Sequence, residues 1–390
     1  MSFWPTLPRP LFGLSPMDGV TDACFRRVIA QQGKPDVAFT EFTHVHDVCR
    51  GPEILLETLV YSELERPIVA QLYGKDPDLF YQAAQAACVL GFDGIDVNMG
   101  CPSKNVASSG SGAALIRTPD LARAILQATR QGIADWAGGQ TLEQAGFKPA
   151  RIAAFHRLND QRSESGEIKR TRLPLSIKTR LGFDCVTVEP WIEHLLAEQP
   201  AAISLHGRTL QQMYKGAADW SAIGRAAALV KGTGTLLLGN GDVQSLDEAV
   251  RRIRETGVDG VLVGRAVLGA PWFFRDKERA RTAIRDGVHA DAGLHESGPP
   301  LDRRFAVLLE HARQFEALYG RDQFHRMRKH LGWYCKGFPH AAALRARLFR
   351  VSSVEELLAV LAEHHLSSAL SSSDAEPADD LSTLVSRCSS

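Results

Sequence analysis

The chain has 390 residues, and its 45 Lys and Arg balance its 45 Asp and Glu. Hydrophobic residues make up 44% and charged residues 23%, ordinary proportions for a globular protein, and the length suits one large domain with a smaller companion. No run approaches the roughly 20 uninterrupted apolar residues of a membrane span.

The opening, MSFWPTLPRP, lacks the charged and then apolar order of a secretory leader, so a cytoplasmic protein is expected. The seven cysteines, at 24, 49, 88, 101, 185, 335 and 388, are odd in number and form no Cys-x-x-Cys pair. That argues against a disulfide framework or a structural zinc site, and no metal is expected.

Short β-rich runs recur along the first two-thirds of the chain: 11–15, 37–42, 67–73, 94–99, 174–180, 202–207, 235–240 and 260–264. Between them, apolar residues fall at helical spacing, as in Phe25, Val28 and Ile29, or Leu79, Ala83, Ala86, Ala87 and Leu90. Gly33, Gly91 and Gly257 sit where helices should stop. Eight strands alternating with helices predict an α/β (β/α)8 TIM barrel. A doubly wound sheet is the rival, but no Gly-x-Gly-x-x-Gly follows the first strand.

One connection is too long. About forty residues separate a helix expected to end near Gly132 from the strand at Pro174. Residues 133–172 therefore read as an insertion, either a local excursion or a lid over substrate. The barrel is expected to occupy 1–288 and a helical module 301–366. Between Leu301 and Arg350 that module has eleven Lys and Arg against four Asp and Glu. Residues 289–300 read as a linker, and 367–390, rich in Ser, Ala and Asp, as a disordered tail.

The strand ends carry the chemistry-bearing residues. The first ends in Pro16, Met17 and Asp18, the third in Gln71, the fourth in Asn98 and Cys101. The fifth carries Lys178 and Arg180, the sixth His206. The seventh ends in Asn240, Gly241 and Asp242, the eighth in Gly264 and Arg265. Any one could be a backbone cap, but seven of eight strand ends point to one mouth. Glycine turns after the last two strands, with Arg265 beside them, suit a phosphate. Lys178, inside an apolar strand, needs a counter-charge: an anionic cofactor ring, or an ion pair with Glu41 or Asp96. Cys101, between Gly100 and Pro102, reads as exposed on a rigid loop. Packing residue, thiolate nucleophile and thiol acid all remain open for it.

Taken in order, SPMDGVTDACFRR, TEF, VAQLYG, DVNMGCPSKNV with SGSGAAL, IKTRLG, LHGRTLQQMYKGAADW, LLGNGDV and GVLVGRAVLGAPWFF resemble the tRNA-dihydrouridine synthases, flavoenzymes of the (β/α)8 class. The basic module resembles that family's tRNA-binding domain. The resemblance implies FMN reduced by NADPH, hydride transfer from FMN N5 to C6 of a tRNA uracil, and a proton from Cys101 to C5.

It further implies that Pro16, Met17, Asp18, Gln71, Lys178, His206, Asn240, Gly241, Asp242, Gly264 and Arg265 hold FMN. Asn98, Arg180 and Tyr214 match positions around the uracil, and His44 stands where some relatives present an arginine to RNA. Arg326, Arg328, Lys329, His330 and Lys336 are candidates for the tRNA backbone. A monomer that binds tRNA and no membrane is expected. Two rivals remain: an FMN barrel acting on a free pyrimidine or another small molecule, and a non-catalytic flavin protein that binds tRNA. The small-residue run from Ala107 to Gly112 has no assigned role.

Overall fold

The apolar runs become a closed parallel barrel. In the computed structural model, which describes residues 2–162, 170–287 and 298–364, the strands are β1 (Leu11–Leu14), β2 (Ala38–Phe39), β3 (Thr43–His44), β4 (Ile68–Tyr73), β5 (Gly94–Met99), β6 (Leu175–Arg180), β7 (Ala202–His206), β8 (Leu236–Asn240) and β9 (Gly260–Val263). They run in the order β1-β9-β8-β7-β6-β5-β4-β2, with β3 also on β4. The amide of Leu14 donates to the Val37 carbonyl at 3.0 Å, and that of Asp36 to Phe12 at 2.9 Å, closing the ring between β1 and β2.

The expected second strand is split. Between the Phe39–Val69 and Thr43–Leu72 pairs it carries one residue more than its partner, a bulge. Within it the Thr40 hydroxyl accepts the Gln71 amide at 3.0 Å.

Alternation along each strand sorts side chains to two sides. Ile95, Val97 and Met99 join the core beneath the helices, while Asp96 and Asn98 on the same strand make their hydrogen bonds inside the barrel. The amino-terminal end of the barrel is filled by Leu11, Val37, Phe39, Val69, Ala202, Leu238 and Leu262, with Trp4 packed against them. Polar groups are thereby left to the carboxyl end.

The outer layer comprises helices Ala23–Gly33, Pro77–Val89, Pro119–Ala137, Val188–Leu196, Trp220–Val230, Leu246–Thr256 and Lys277–Arg285. After β3 only a short helix, Val45–Arg50, and a 3-10 segment, Glu53–Leu59, follow.

Two glycines differ from expectation. Gly33 ends its helix at negative φ, and its role is a close approach: a Cβ there would lie 2.8 Å from the Arg275 amide nitrogen. Gly132 does not end its helix, which continues to Ala137. A Cβ at 132 would lie 2.3 Å from the Tyr81 carbonyl oxygen, so glycine lets the two helices touch. Gly257 caps its helix in the left-handed region, as expected.

The insertion forms a helix, Pro149–Asp160, whose Ile152, Ala154 and Phe155 enter the barrel's core. Asn159 Nδ2 donates to the Val89 carbonyl at 2.8 Å, and Gln82 Nε2 to Ala145 at 2.8 Å. The described part is a wall on the barrel's flank, and these bonds do not reach the mouth. Of the insertion, 163–169 lie outside the described residues, as do the expected barrel's last residue, 289–297 of the expected linker, the last two residues of the expected module and the whole expected tail.

The carboxyl-terminal module is helical: Leu301–Tyr319, Arg328–Tyr334, Ala341–Leu348 and Val354–Glu363, with a 3-10 segment Arg321–Met327. Its core includes Ala23, Cys24, Val28 and Trp272 of the barrel. Module and barrel thus share buried apolar surface. Buried Arg26 stands close by, with its Nε 2.6 Å from Glu65 and its remaining donors on the carbonyls of Thr21 and Val60. Among the described residues, no helix is long and apolar enough to cross a membrane.

Candidate active site

A chain of buried polar side chains crosses the mouth. Ser176 Oγ donates to Asp96 Oδ1 at 2.6 Å, Gln71 Nε2 to Asp96 Oδ2 at 2.7 Å, and Asn98 Nδ2 to Gln71 Oε1 at 2.9 Å. Asn98 Oδ1 in turn accepts the amides of Gly100 and Cys101 at 3.0 and 2.9 Å. Asn98 is therefore both part of the strand network and the cap that sets the cysteine loop. Burial lifts the Asp96 carboxyl to about 6 despite the hydrogen bonds from Ser176 and Gln71.

The cysteine is not exposed, contrary to the sequence reading. Cys101 is 8% exposed, because the small-residue run folds back against it. A Cβ on Gly112, whose φ is +61°, would meet Val106 at 2.8 Å and the Cys101 Cβ at 3.3 Å. Burial pushes the thiol above its ordinary pKa of 9.0; the Ser103 amide, Arg180 and Lys178 oppose that shift, and Asp18 adds to it. A thiol so placed is protonated at neutral pH. That favours a proton donor over a thiolate nucleophile.

Lys178 has neither carboxylate anticipated for it as an ion-pair partner. Its Nζ donates to Asn240 Oδ1 at 3.3 Å, while Asn240 Nδ2 donates to the Leu262 carbonyl. Burial, then the charge of Arg180, pushes the ammonium down to about 8.

Arg180 is 3% exposed. Its Nε donates to the Gly100 carbonyl at 2.6 Å, and its Nη1 to the carbonyls of Thr209 and Met213 at 3.1 and 3.2 Å. It clamps the cysteine loop to the loop after β7. Burial lowers it to about 10.

The glycine turns after β8 and β9 lie beside this cluster. Gly241 adopts φ +124°, and a Cβ there would lie 2.8 Å from that of Ala218. Asp242 accepts Arg265 Nη2 at 2.8 Å, Arg208 Nη2 at 2.6 Å and the Ala218 amide at 2.8 Å. Burial would raise its carboxyl, but these partners hold it below the usual range.

Arg208, in the His-Gly-Arg-Thr segment, has no role assigned from the sequence; it is 2% exposed with a buried, unpartnered Nη1. His206 Nδ1 is likewise buried and without a partner. Burial drives this imidazole well below its ordinary range, reinforced by Arg180, Lys178, Arg208 and Arg265.

The β1 loop completes the mouth. The Ser15 amide donates to Val263 at 2.8 Å, which sets the adjoining Pro16, Met17 and Asp18, and Met17 Sδ lies 3.4 Å from where Gly264 would carry a Cβ. Burial raises the Asp18 carboxyl against the pull of Lys329. Buried Glu41, noticed in the sequence only as a partner for Lys178, is lifted to about 7 by burial and by Asp22. No sequence signal separated it from an ordinary strand-end acid. Tyr214 is 62% exposed, and His44 stacks edge-on against Tyr73 at 4.8 Å.

The helical module's candidates divide. Lys329 Nζ donates to the Gly19 carbonyl, so it reaches the mouth. Arg326 pairs with Glu57 at 3.2 Å. Arg328 bonds the carbonyls of Val351 and Arg350, and Lys336 Nζ donates to Leu268 at 3.2 Å. His330 is buried, at 1% exposure, against Phe25, His311 and Trp333. It cannot touch RNA, because its aromatic neighbours fill the module's core.

The family model for dihydrouridine synthase matches residues 13–135 and 167–370. The chain belongs to the dihydrouridine synthase family. It is 32% identical over 367 residues to a probable tRNA-dihydrouridine synthase 2 of Bacillus subtilis (strain 168), covering 92% of this chain and 95% of the relative. It is 33% identical over 370 residues to a probable tRNA-dihydrouridine synthase of Staphylococcus aureus (strain COL), covering 93% and 95%.

Among solved structures, morphinone reductase in complex with tetrahydroNAD matches 71% of this chain and 88% of its own, at 12% identity and TM-score 0.39. A DHODH from Eimeria tenella in complex with ferulenol matches 61% and 65%, at 15% and 0.41. Among the described residues of this dihydrouridine synthase, no group of three or more His, Cys, Asp or Glu could hold a metal ion.

Proposed function

We propose that the chain is an FMN-dependent, NADPH-reduced tRNA-dihydrouridine synthase, with Cys101 as the proton donor. One observation carries this reading: four cations, Lys178, Arg180, Arg208 and Arg265, bear on a neutral His206 whose buried Nδ1 has no partner. A cluster of cations, with Arg180 and Arg208 buried, and an orphaned imidazole suit a phosphorylated, electron-accepting ring system better than an empty mouth.

The fit to FMN is specific in kind. The turn at Asn240, Gly241 and Asp242 and the one at Gly264 and Arg265 suit the phosphate, with Arg208 and His206 as donors. Lys178, Gln71 and the loop of Pro16, Met17 and Asp18 would surround the ring. Lys178 would pair with negative charge there, since among the described residues its ammonium forms no ion pair and donates to Asn240. A reduced flavin in this position would supply hydride to the substrate.

The remaining chemistry belongs to side chains. Cys101 holds a proton that its burial makes hard to lose, and Asn98 and Arg180 fix the loop from which it is donated. A uridine extruded from its stack would meet this thiol. Asn98 and Tyr214 would serve the uracil, His44 the RNA at the rim, and Lys329, at the β1 loop, the RNA backbone. Arg326, Arg328 and Lys336 are held by protein partners, so they would act through general positive potential.

The test is direct. Purified protein should be yellow, release FMN on denaturation and form dihydrouridine in unmodified tRNA with NADPH. A protein that binds no flavin, or that reduces a free pyrimidine and leaves tRNA untouched, overturns the proposal.

A further inference from the structure

The family match omits residues 136–166. Helix Pro149–Asp160 falls wholly within that gap. Its first turn borders a flank cavity of about 590 Å³, lined in part by Arg50, Glu53, Lys148, Ala150 and Arg151. No side chain caps this helix start, so the positive end of its dipole is not compensated by the protein.

Arg151 supplies an independent sign. It is 9% exposed. Its Nη2 donates to the Gly51 carbonyl, but its Nη1 is buried without a partner. Glu53, the single carboxylate among the lining residues, is already held by Arg157 through bonds of 3.0 and 2.6 Å. Among the described lining residues three cations thus share the recess with Glu53. Glu53 and Asp47 act on the Arg151 charge, but neither bonds its guanidinium, whose buried Nη1 is left without a hydrogen-bond acceptor.

We propose that this recess binds a phosphate group, supplied by the backbone of the RNA whose base enters the mouth. The inference rests on the tRNA reading above. Helix Val45–Arg50 starts beside His44 on the rim, and its six residues span about 9 Å. A strand leaving the mouth would reach Arg50 within a nucleotide step or so. Arg151 would give the phosphate a directed donor, the helix start its amide dipole, and Lys148 and Arg50 mobile charge.

The experiment measures affinity of the flavin-loaded protein for unmodified tRNA transcript across a salt series, for wild type, Arg151→Gln and Lys148→Gln. One lost phosphate contact should make the log–log slope shallower by about 0.7–0.9 and weaken binding several-fold. In the same preparations inorganic phosphate should raise the melting temperature of wild type more than that of Arg151→Gln. Lys148 is exposed, so its variant reports even if Arg151→Gln folds poorly.

Slopes and phosphate responses equal to wild type overturn the site. Unchanged slopes with a raised KM for NADPH overturn the RNA as occupant and assign the phosphate to the reductant. A wild type that binds no tRNA overturns this proposal and the tRNA reading together. A wild type with normal turnover and unaltered variants overturns this proposal alone.

Discussion

The side-chain oxygen of Asn98 accepts the backbone amide of Cys101 at 2.9 Å, and its amide nitrogen reaches Gln71 at the same distance. One residue therefore couples the strand network to the loop that carries the thiol. Asn98→Ala would strand two buried amides, Gly100 and Cys101, each costing about 1–3 kcal/mol unless water replaces the partner. Dihydrouridine formation should fall about tenfold to a hundredfold with flavin content retained. Single-turnover assays with flavin quantified beside them would show it; undiminished rates would remove Asn98 from this role.

Cys101 itself should separate two half-reactions. Cys101→Ala is expected to bind flavin and oxidise NADPH normally, yet to lose most dihydrouridine formation. If its thiol is the donor, the rate of product formation should be flat through neutrality. It should decline only as pH rises past the elevated thiol pKa. A decline on the acid side instead would point to a thiolate nucleophile.

Lys178 gives a pH dependence of opposite sign in two measurements. Its ammonium is held at about 8 in the folded protein against an ordinary 10.5. Anion affinity at the mouth should therefore weaken as pH rises through 8. Between 8 and 10.5 the unfolded chain binds the extra proton, so this residue makes the flavin-free protein more stable with rising pH. Flavin titrations and urea midpoints at several pH values test both arms. Lys178→Met should flatten both.

His311 and His330 predict acid lability where module meets barrel. Burial holds His311 at about 3 and, with the neighbouring charges of His311, Lys329 and Arg326, holds His330 well below 6.5. Both stay neutral when folded and gain protons when unfolded, so their stability contribution is present above 6.5 and is lost as pH falls below it. The urea midpoint should drop between pH 7 and 5, and less so in His330→Leu. An identical drop in that variant would exclude the histidine.

The Arg26–Glu65 pair offers a stability test away from the mouth. Both side chains are at most 1% exposed. Arg26→Met leaves Glu65 charged and buried, and should destabilise the protein by about 3–5 kcal/mol. The double variant Arg26→Met, Glu65→Leu should recover much of that loss. Denaturant curves for the single and double variants decide it.

Most of the barrel was legible because each strand is a continuous apolar run between turn residues, and seven of the eight run boundaries matched within a residue or so. The exception, 37–42, hides a bulge that depends on Thr40 meeting Gln71, a contact between distant residues. The mouth residues were legible by their place at strand ends.

Exposure was not. Cys101 looked accessible between Gly100 and Pro102, but Gly112 covers it, and adjacency in sequence says nothing of that. His330 looked basic and available, yet Phe25 and His311 from distant parts of the chain, with Trp333 of its own helix, bury it. Gly132 read as a helix end because its real reason, the Tyr81 carbonyl, lies on another helix.

Truncation at Leu301 is therefore a poor way to remove RNA contacts. It would bare Ala23, Val28 and Trp272, which the module now covers, and the product should aggregate. Single substitutions such as Lys329→Met leave that surface covered.

The segment outside the family match has a similar consequence. Leu142, Phe147, Ile152 and Phe155 lie in the same core as the barrel strands, although their stretch of chain is foreign to the family pattern. A chain shortened by this segment would not be a simpler enzyme: the core would lose those side chains, and the Val89 carbonyl at the end of helix Pro77–Val89 would lose the Asn159 amide.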